Sequence, residues 1–126
     1  MAATTTTIPE HLGRFREALP NLRGEDEAEI LYLANLIETL SWILFPSRHP
    51  TCILGRHPKP PNDSHAFCAS LYSMGKDGAK YLVLGPEMGI SRKKVLMKLL
   101  VIVEREIGRM MFRDAKRANA GEAGEG

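Results

Sequence analysis

Cysteine and long apolar runs are scarce in this sequence. Only two cysteines, Cys52 and Cys68, occur in 126 residues, and the N-terminus has no apolar stretch of the kind that directs secretion. Such usage is typical of free thiols in a reducing compartment. Arginine is absent before Arg14, whereas a transit peptide carries several arginines there. We therefore expect an intracellular protein, in the cytoplasm or the nucleus, with no membrane partner.

Motifs that carry catalysis are also missing. The sequence has no Walker loop, no Gly-x-Ser-x-Gly elbow and no His-Glu-x-x-His pair, so we predict no enzyme activity and no cofactor. Zinc is the alternative that the residue types leave open, because it accepts Cys52, His57, His65 and Cys68 as ligands. These four residues form no Cys-x-x-Cys or His-x-x-x-His pair. Thiols in adjacent strands are usually small core residues, so we predict no metal site.

The remaining composition predicts one ordinary globular domain with an uneven charge distribution. Hydrophobic residues make up 44% of the chain and charged residues 25%, which is enough for a single core. Residues 1–47 hold three arginines against seven acids, residues 48–98 hold nine cations against three acids, and residues 99–126 hold five of each. A basic middle segment suits a domain whose later elements face a polyanion.

Apolar periodicity predicts an α+β domain of helix, three-stranded antiparallel sheet and helix, preceded by an extra N-terminal helix. Apolar residues at helical spacing predict helices over 8–19, 28–44 and 95–111. Alternating and short apolar runs predict strands over 51–54, 66–73 and 80–84, with a hairpin turn at Gly75 to Gly78. Two helices on one sheet face make a two-layer domain. We expect a disordered leader over 1–8, a single domain over 9–112 with its core in 25–111, and a disordered tail over 113–126.

The start of the last predicted helix concentrates positive charge. A glycine-containing segment, Gly85 to Gly89, leads to Ser91, whose hydroxyl suits an N-cap, and Arg92, Lys93 and Lys94 follow. The helix dipole already places partial positive charge at this end, so cations are unfavourable there. Either the sequence builds an anion site for phosphate, or this is a solvated basic turn.

The element order and the motif Gly89-Ile90-Ser91-Arg92-Lys93-Lys94 resemble the double-stranded-RNA-binding domain over roughly residues 25–111. That family has a helix, three antiparallel strands and a helix, and it recognises the shape of A-form RNA through phosphates and 2′-hydroxyls. The resemblance implies a non-catalytic protein whose partner is double-stranded RNA. It also implies two groups of contact residues: Arg92, Lys93, Lys94 and Lys98 on phosphates, and the loop residues His57, Lys59 and His65 in the minor groove.

The last helix also favours an alternative function. The family's last helix is rich in alanine, whereas residues 99–103 are bulky here. Extra apolar bulk is typical of a protein-interaction module or a homodimer. The surface for such a contact is the outer face of the helix, where four residues interrupt the charges: Met97, Val101, Gly108 and Met111.

Overall fold

The computed structural model describes the backbone of residues 25–125 and the side chains of residues 25–121. The leader predicted over 1–8 and the helix predicted over 8–19 lie outside these residues.

Helix α1 spans Glu27–Leu44. Asp26 caps it, because its carboxylate accepts from the amides of Ala28 at 3.0 Å and Glu29 at 3.3 Å, as expected for an N-cap. Ile30, Leu33 and Ile37 are buried at spacings of three and four residues, which turns one stripe of the helix to the core. The helix ends where the amide of Phe45 donates to the carbonyl of Ser41 at 2.8 Å, one residue before Pro46.

Three antiparallel strands follow, β1 (Pro50–Arg56), β2 (Phe67–Met74) and β3 (Lys80–Gly89), in the order β1-β2-β3. A short 3-10 helix, Asp63–His65, lies in the loop between β1 and β2. The predicted turn between β2 and β3 is confirmed: the amide of Gly75 donates to the carbonyl of Ala79 at 2.8 Å, and Gly78 has a φ of 84°. Glycine adopts that φ without the steric cost that a side chain would impose.

Strand β3 runs five residues past the end that the sequence predicts, from 84 to Gly89. The extension pairs with β2, because Phe67 lies opposite Gly89 and Ala69 opposite Glu87. A register shift between Ala69 and Leu71 accommodates the extra residues of β3. Gly85 stands at this shift with a φ of 96°, and a Cβ atom there would lie 3.0 Å from the carbonyl oxygen of Ala69. The segment expected to be a glycine loop is therefore mostly strand.

Helix α2 spans Arg92–Glu125, a length of 34 residues. The sequence predicts its end at residue 111 and a disordered tail over 113–126, whereas the helix continues to Glu125. The tail has nothing to bury, and that observation led to the expectation of disorder. Its residues are nevertheless mostly good helix formers, such as Ala, Lys and Arg, and adding residues to a helix that is already formed is easy compared with starting one.

Both helices pack on one face of the sheet, which confirms the predicted α+β architecture. The core consists of residues from both helices and from β2: Ile30, Leu33, Ile37, Ala69, Leu71, Val95, Leu96, Leu99, Leu100 and Val103. Cys52 and Leu54 of β1 lie opposite Leu71 and Ala69 of β2, so they point to the same side. Ile53 and Leu82 are 37% and 52% exposed, and within residues 25–121 the second sheet face has no covering layer. No helix in the described part of the chain has the length and apolarity needed to cross a membrane.

Candidate functional site

The predicted anion site at the start of α2 contains a carboxylate from the chain itself. Ser91 caps the helix, since its hydroxyl oxygen accepts from the amide of Lys94 at 3.1 Å. The two free amides beside it donate to Glu25: Arg92 N–H to Oε2 at 3.2 Å and Lys93 N–H to Oε1 at 3.0 Å. Glu25 thus occupies the position that a phosphate would take at a helix N-terminus.

Arg92 is buried against two acids next to the start of α1, Glu25 and Glu27. Its side chain is only 7% exposed, and its Nε lies 3.1 Å from Glu25 Oε2. Its Nη1 donates to Glu27 Oε1 at 3.0 Å, and Nη2 donates to Glu27 Oε2. The two bonds to Glu27 form a bidentate pair, the strongest geometry for an arginine and a carboxylate. The hydrogen bonds that Arg92 donates to Glu27 also raise the pKa of Arg92 against the opposing effect of burial. Arg92 therefore joins the starts of the two helices.

The other predicted phosphate ligands lie on the surface around this contact. Lys93 forms an exposed ion pair with Glu29, at 3.2 Å between Nζ and Oε1. Lys98 donates from Nζ to the carbonyl of Met88 at 2.6 Å, and Lys94 is exposed. Arg92 and Lys93 thus pair with three of the four acids next to the start of α1, which are Glu25, Asp26, Glu27 and Glu29. A cleft of about 330 Å³ between the two helix starts is lined by three of these acids, together with Ser91 and Lys93.

The predicted loop residues His57, Lys59 and His65 lie at the same end of the sheet as the start of α2. Arg56 pairs with Phe67, and Phe67 with Gly89, so the loop leaves the sheet in the row where β3 ends. His57 accepts at Nδ1 from the amide of Lys59 at 3.1 Å, and the ring of His65 lies 3.0 Å from Asn62 Oδ1. Both imidazoles are half-buried and bonded within their own loop, while Lys59 is exposed.

The two thiols do not converge with the histidines on a metal site. Cys52 lies on the helix side of β1, whereas Cys68 pairs with Gly55, three positions further along β1 and hence on the other sheet face. Burial, with a contribution from Glu38, raises the pKa of Cys52 to about 11, which opposes the thiolate form that binds zinc. Among the described residues, no three side chains of the metal-binding types form a group that holds an ion.

The outer face of α2 carries a row of residues that are all exposed except the half-buried Gly108. At about 100° per residue, six residues between positions 97 and 115 lie within about 40° of one line, opposite the buried side of the helix. We call them the outer row: Met97, Val101, Glu104, Gly108, Phe112 and Ala115. Met97 is 42% exposed, Val101 39% and Phe112 80%. Met111, which the sequence also predicted for a contact surface, lies beside the row and is exposed.

No family model, curated protein or solved structure matches this chain. Three residues of the surfaces described above, Glu25, Glu27 and Phe112, were not predicted from the sequence. A signal for the first two exists: an acidic run over 25–29 and a basic run over 92–94 stand at the starts of two helices predicted to pack together.

The contacts of Glu25 predict that the protein loses stability as the pH falls into the acid range. Burial raises its pKa, but the hydrogen bonds from Lys93 and Arg92 together outweigh burial and hold the pKa below the usual 4.5. The unfolded chain then binds more protons than the folded chain in this range. The stabilisation is complete above pH 4.5 and is lost as the pH falls through the folded pKa.

We therefore expect Glu25→Gln to be less stable than the natural chain above pH 4.5 and the difference to narrow at lower pH. Urea unfolding midpoints measured for both proteins across the acid range check this. If the unfolding midpoints of the two proteins, plotted against pH, stay the same distance apart, Glu25 makes no such contribution.

Proposed function

We propose that this chain is a non-catalytic self-association module whose contact surface is the outer row of α2. The observation that carries the proposal is the exposure of an apolar helix face on an element that extends well beyond the core. Val103 is the last fully buried residue of α2, and Ile107 is the last apolar side chain packed against the core. The helix nevertheless continues through residues 108–125 with Phe112 80% exposed.

Physical chemistry favours a partner for such a helix. Most helical stability in proteins comes from packing an apolar face, not from intrinsic propensity. Large exposed apolar side chains that lie together mark interaction sites more often than isolated ones do. Phe112 is also the kind of residue that supplies binding energy, because a buried aromatic side chain contributes more area than an aliphatic one.

The charges at the start of α2 favour self-association over a polyanion as the main function. Arg92 and Lys93 are paired with acids there, and Glu25 already accepts from the two amides that a phosphate would use. A phosphate bound at that point has to displace this carboxylate and separate Arg92 from it. Because phosphate contacts supply most of the affinity of nucleic-acid binding, this internal pairing weakens the RNA hypothesis.

Self-association is tested by measuring molar mass with light scattering over a range of concentrations. We expect the mass to rise from the chain value of 14.0 kDa towards twice that value. Phe112→Glu should remain at the chain mass, because it places a charge in the contact. Tyr81→Glu is the matched control, since Tyr81 is a 62% exposed aromatic on β3, and it should associate like the natural chain. A natural chain that stays monomeric at high concentration would refute the proposal.

Double-stranded RNA binding is the second candidate, supported by the three lysines that remain exposed at the start of α2. Lys93, Lys94 and Lys98 are exposed near the start of α2, and the loop with His57, Lys59 and His65 leaves the sheet at the same end. In this reading the lysines contact phosphates and the loop contacts the minor groove. An intracellular location, which the two free thiols favour, suits either candidate.

If RNA is bound, Lys93→Ala combined with Lys94→Ala should weaken duplex binding and reduce the slope of affinity against salt by about two, since each phosphate contact contributes about one. Fluorescence anisotropy with a mixed-sequence RNA duplex, at several salt concentrations, measures both quantities. The matched control is Lys76→Ala combined with Lys80→Ala, at the opposite end of the sheet. Absence of duplex binding by the folded natural chain at low salt would remove this candidate.

A further inference from the structure

We infer that one flank of α2, between residues 94 and 116, binds a single-stranded nucleic acid, with phosphates on a line of cations and one base stacked on Phe112. This inference goes beyond the self-association proposed above, and it does not use the two amides that Glu25 already occupies. Three observations support it: the alignment of the cations, their lack of counter-charges, and the exposed aromatic ring among them.

The first observation is that cations of α2 fall on one line. At about 100° per residue, nine residues between positions 94 and 116 lie within about 50° of a line on the flank next to the outer row. Val95 is buried and Ile102 is half-buried, and of the seven exposed members six are cations and the seventh is Phe112. We call the six cations the basic track: Lys94, Lys98, Arg105, Arg109, Arg113 and Lys116. The track is about 33 Å long at the helical rise per residue, so it offers a linear partner several contacts.

The second observation is that the basic track has few counter-charges. No acidic residue lies within about 50° of the same line along the track, and in the described part of the chain only one of the six cations, Arg109, has an ion-pair partner, Glu106. Lys94 and Lys98 stand four residues apart, as do Arg105 and Arg109, and like charges at this spacing destabilise a helix. Bound phosphates relieve that repulsion and release counterions, so charge complementarity favours a linear polyanion as the partner.

The third observation identifies the kind of polyanion. The side chain of Phe112 is 80% exposed. It lines a cleft of about 420 Å³ whose other lining residues all belong to the basic track: Arg109, Arg113 and Lys116. Proteins that bind single strands combine a cationic path for the backbone with aromatic rings on which bases stack. The bases of a duplex are stacked on one another and are not free to cover such a ring, so the ring among the cations favours a single strand.

Phe112 belongs to this site and to the outer row, so the two contacts are tested with a substitution that separates them. Phe112→Leu does so, because leucine keeps an apolar side chain for a second copy but has no ring on which a base can stack. In light scattering we expect this variant to self-associate like the natural chain. We expect it to bind a single strand at least about fivefold more weakly, the lower end of the loss seen when a stacking ring is removed.

Arg113→Gln tests the basic track, and Arg117→Gln is its matched control. Both residues are exposed arginines in the same half of α2, but Arg117 lies about 90° from the line of the track. Fluorescence anisotropy with a labelled single strand of about 12 nucleotides, at several salt concentrations, measures the affinity of each variant. Arg113→Gln should reduce the slope of log affinity against log salt by about 0.7, the value of one phosphate contact on a single strand. Arg117→Gln should leave the slope unchanged.

The same oligonucleotide is measured as RNA, as DNA and in both duplex forms. Tighter binding of the single strand than of its duplex, with either sugar, supports the inference. No binding of a single strand at low salt overturns it, and a preference for the duplex overturns it in favour of the second candidate above. Equal losses for Arg113→Gln and Arg117→Gln, or no loss for Phe112→Leu, also overturn it, because net charge alone would then account for the binding. A natural chain that binds the strand but stays monomeric would refute self-association alone.

Discussion

Arg92→Met is expected to lower the free energy of unfolding by about 3 kcal/mol, the lower end of the loss seen when one partner of a buried ion pair is removed. The substitution keeps much of the side-chain volume but leaves Glu25 and Glu27 without their guanidinium, at exposures of 14% and 25%. Glu25 then keeps only its hydrogen bonds from the backbone amides of positions 92 and 93, and both carboxylates lose the opposite charge that offsets their partial burial. Urea unfolding at one fixed protein concentration measures the loss, because self-association would make stability depend on concentration.

Lys94→Met is the matched control for this prediction. Lys94 stands two positions after Arg92 but is exposed, so its replacement should change the free energy of unfolding by no more than about 0.5 kcal/mol. A double-mutant cycle with Glu27→Gln isolates the pairwise energy of the bidentate contact. If Arg92→Met loses no more than the Lys94 control does, Arg92 is not the residue that holds the helix starts together.

Leu71→Ala should have a comparable effect, a loss of about 3 kcal/mol, because it opens a cavity under both helices. Leu71 is fully buried and lies opposite Leu84 in β3. Leu82→Ala makes the same chemical change on the other face of the sheet, where Leu82 is 52% exposed and lies opposite Tyr72. We expect that variant to lose only a small fraction of this amount, because little buried area disappears.

The comparison of the two leucines reports on the uncovered face of the sheet. Thermal and urea unfolding of both variants, again at equal protein concentration, measure how much stability each substitution costs. Similar losses for Leu71→Ala and Leu82→Ala would mean that another part of the chain or a second copy covers Leu82 in solution. That result would contradict the description of the second face as open.

The elements that the sequence predicted correctly are those with strong local signals. Apolar spacing identified α1, and the paired glycines identified the turn between β2 and β3. The end of β3 was missed because a strand that continues through Gly85 and Pro86 depends on pairing with β2, which no local pattern reveals. The continuation of α2 past residue 111 was missed because the expectation was based on burial, whereas propensity and the preceding turns are enough to extend the helix.

The candidate site shows a different limit of sequence reasoning. Arg92 was expected to contact phosphate because its charge and its position at a helix start fit that role. Glu25 stands 67 positions earlier in the chain, and only the tertiary packing of the two helices brings its carboxylate to those amides. Phe112 lay one residue past the end of the predicted helix, so nothing indicated that its side chain would lie on a helix face.

The contact between Glu25 and Arg92 also bears on how the protein is made. Because the two residues are 67 positions apart, a growing chain holds Glu25 without its ion-pair partner until residue 92 leaves the ribosome. Up to that moment α1 has neither its partner helix nor its counter-charge, and closing so long a loop is entropically costly. The N-terminal half of the domain is therefore not expected to fold stably on its own during translation. We expect folding to begin only after the start of α2 has been synthesised.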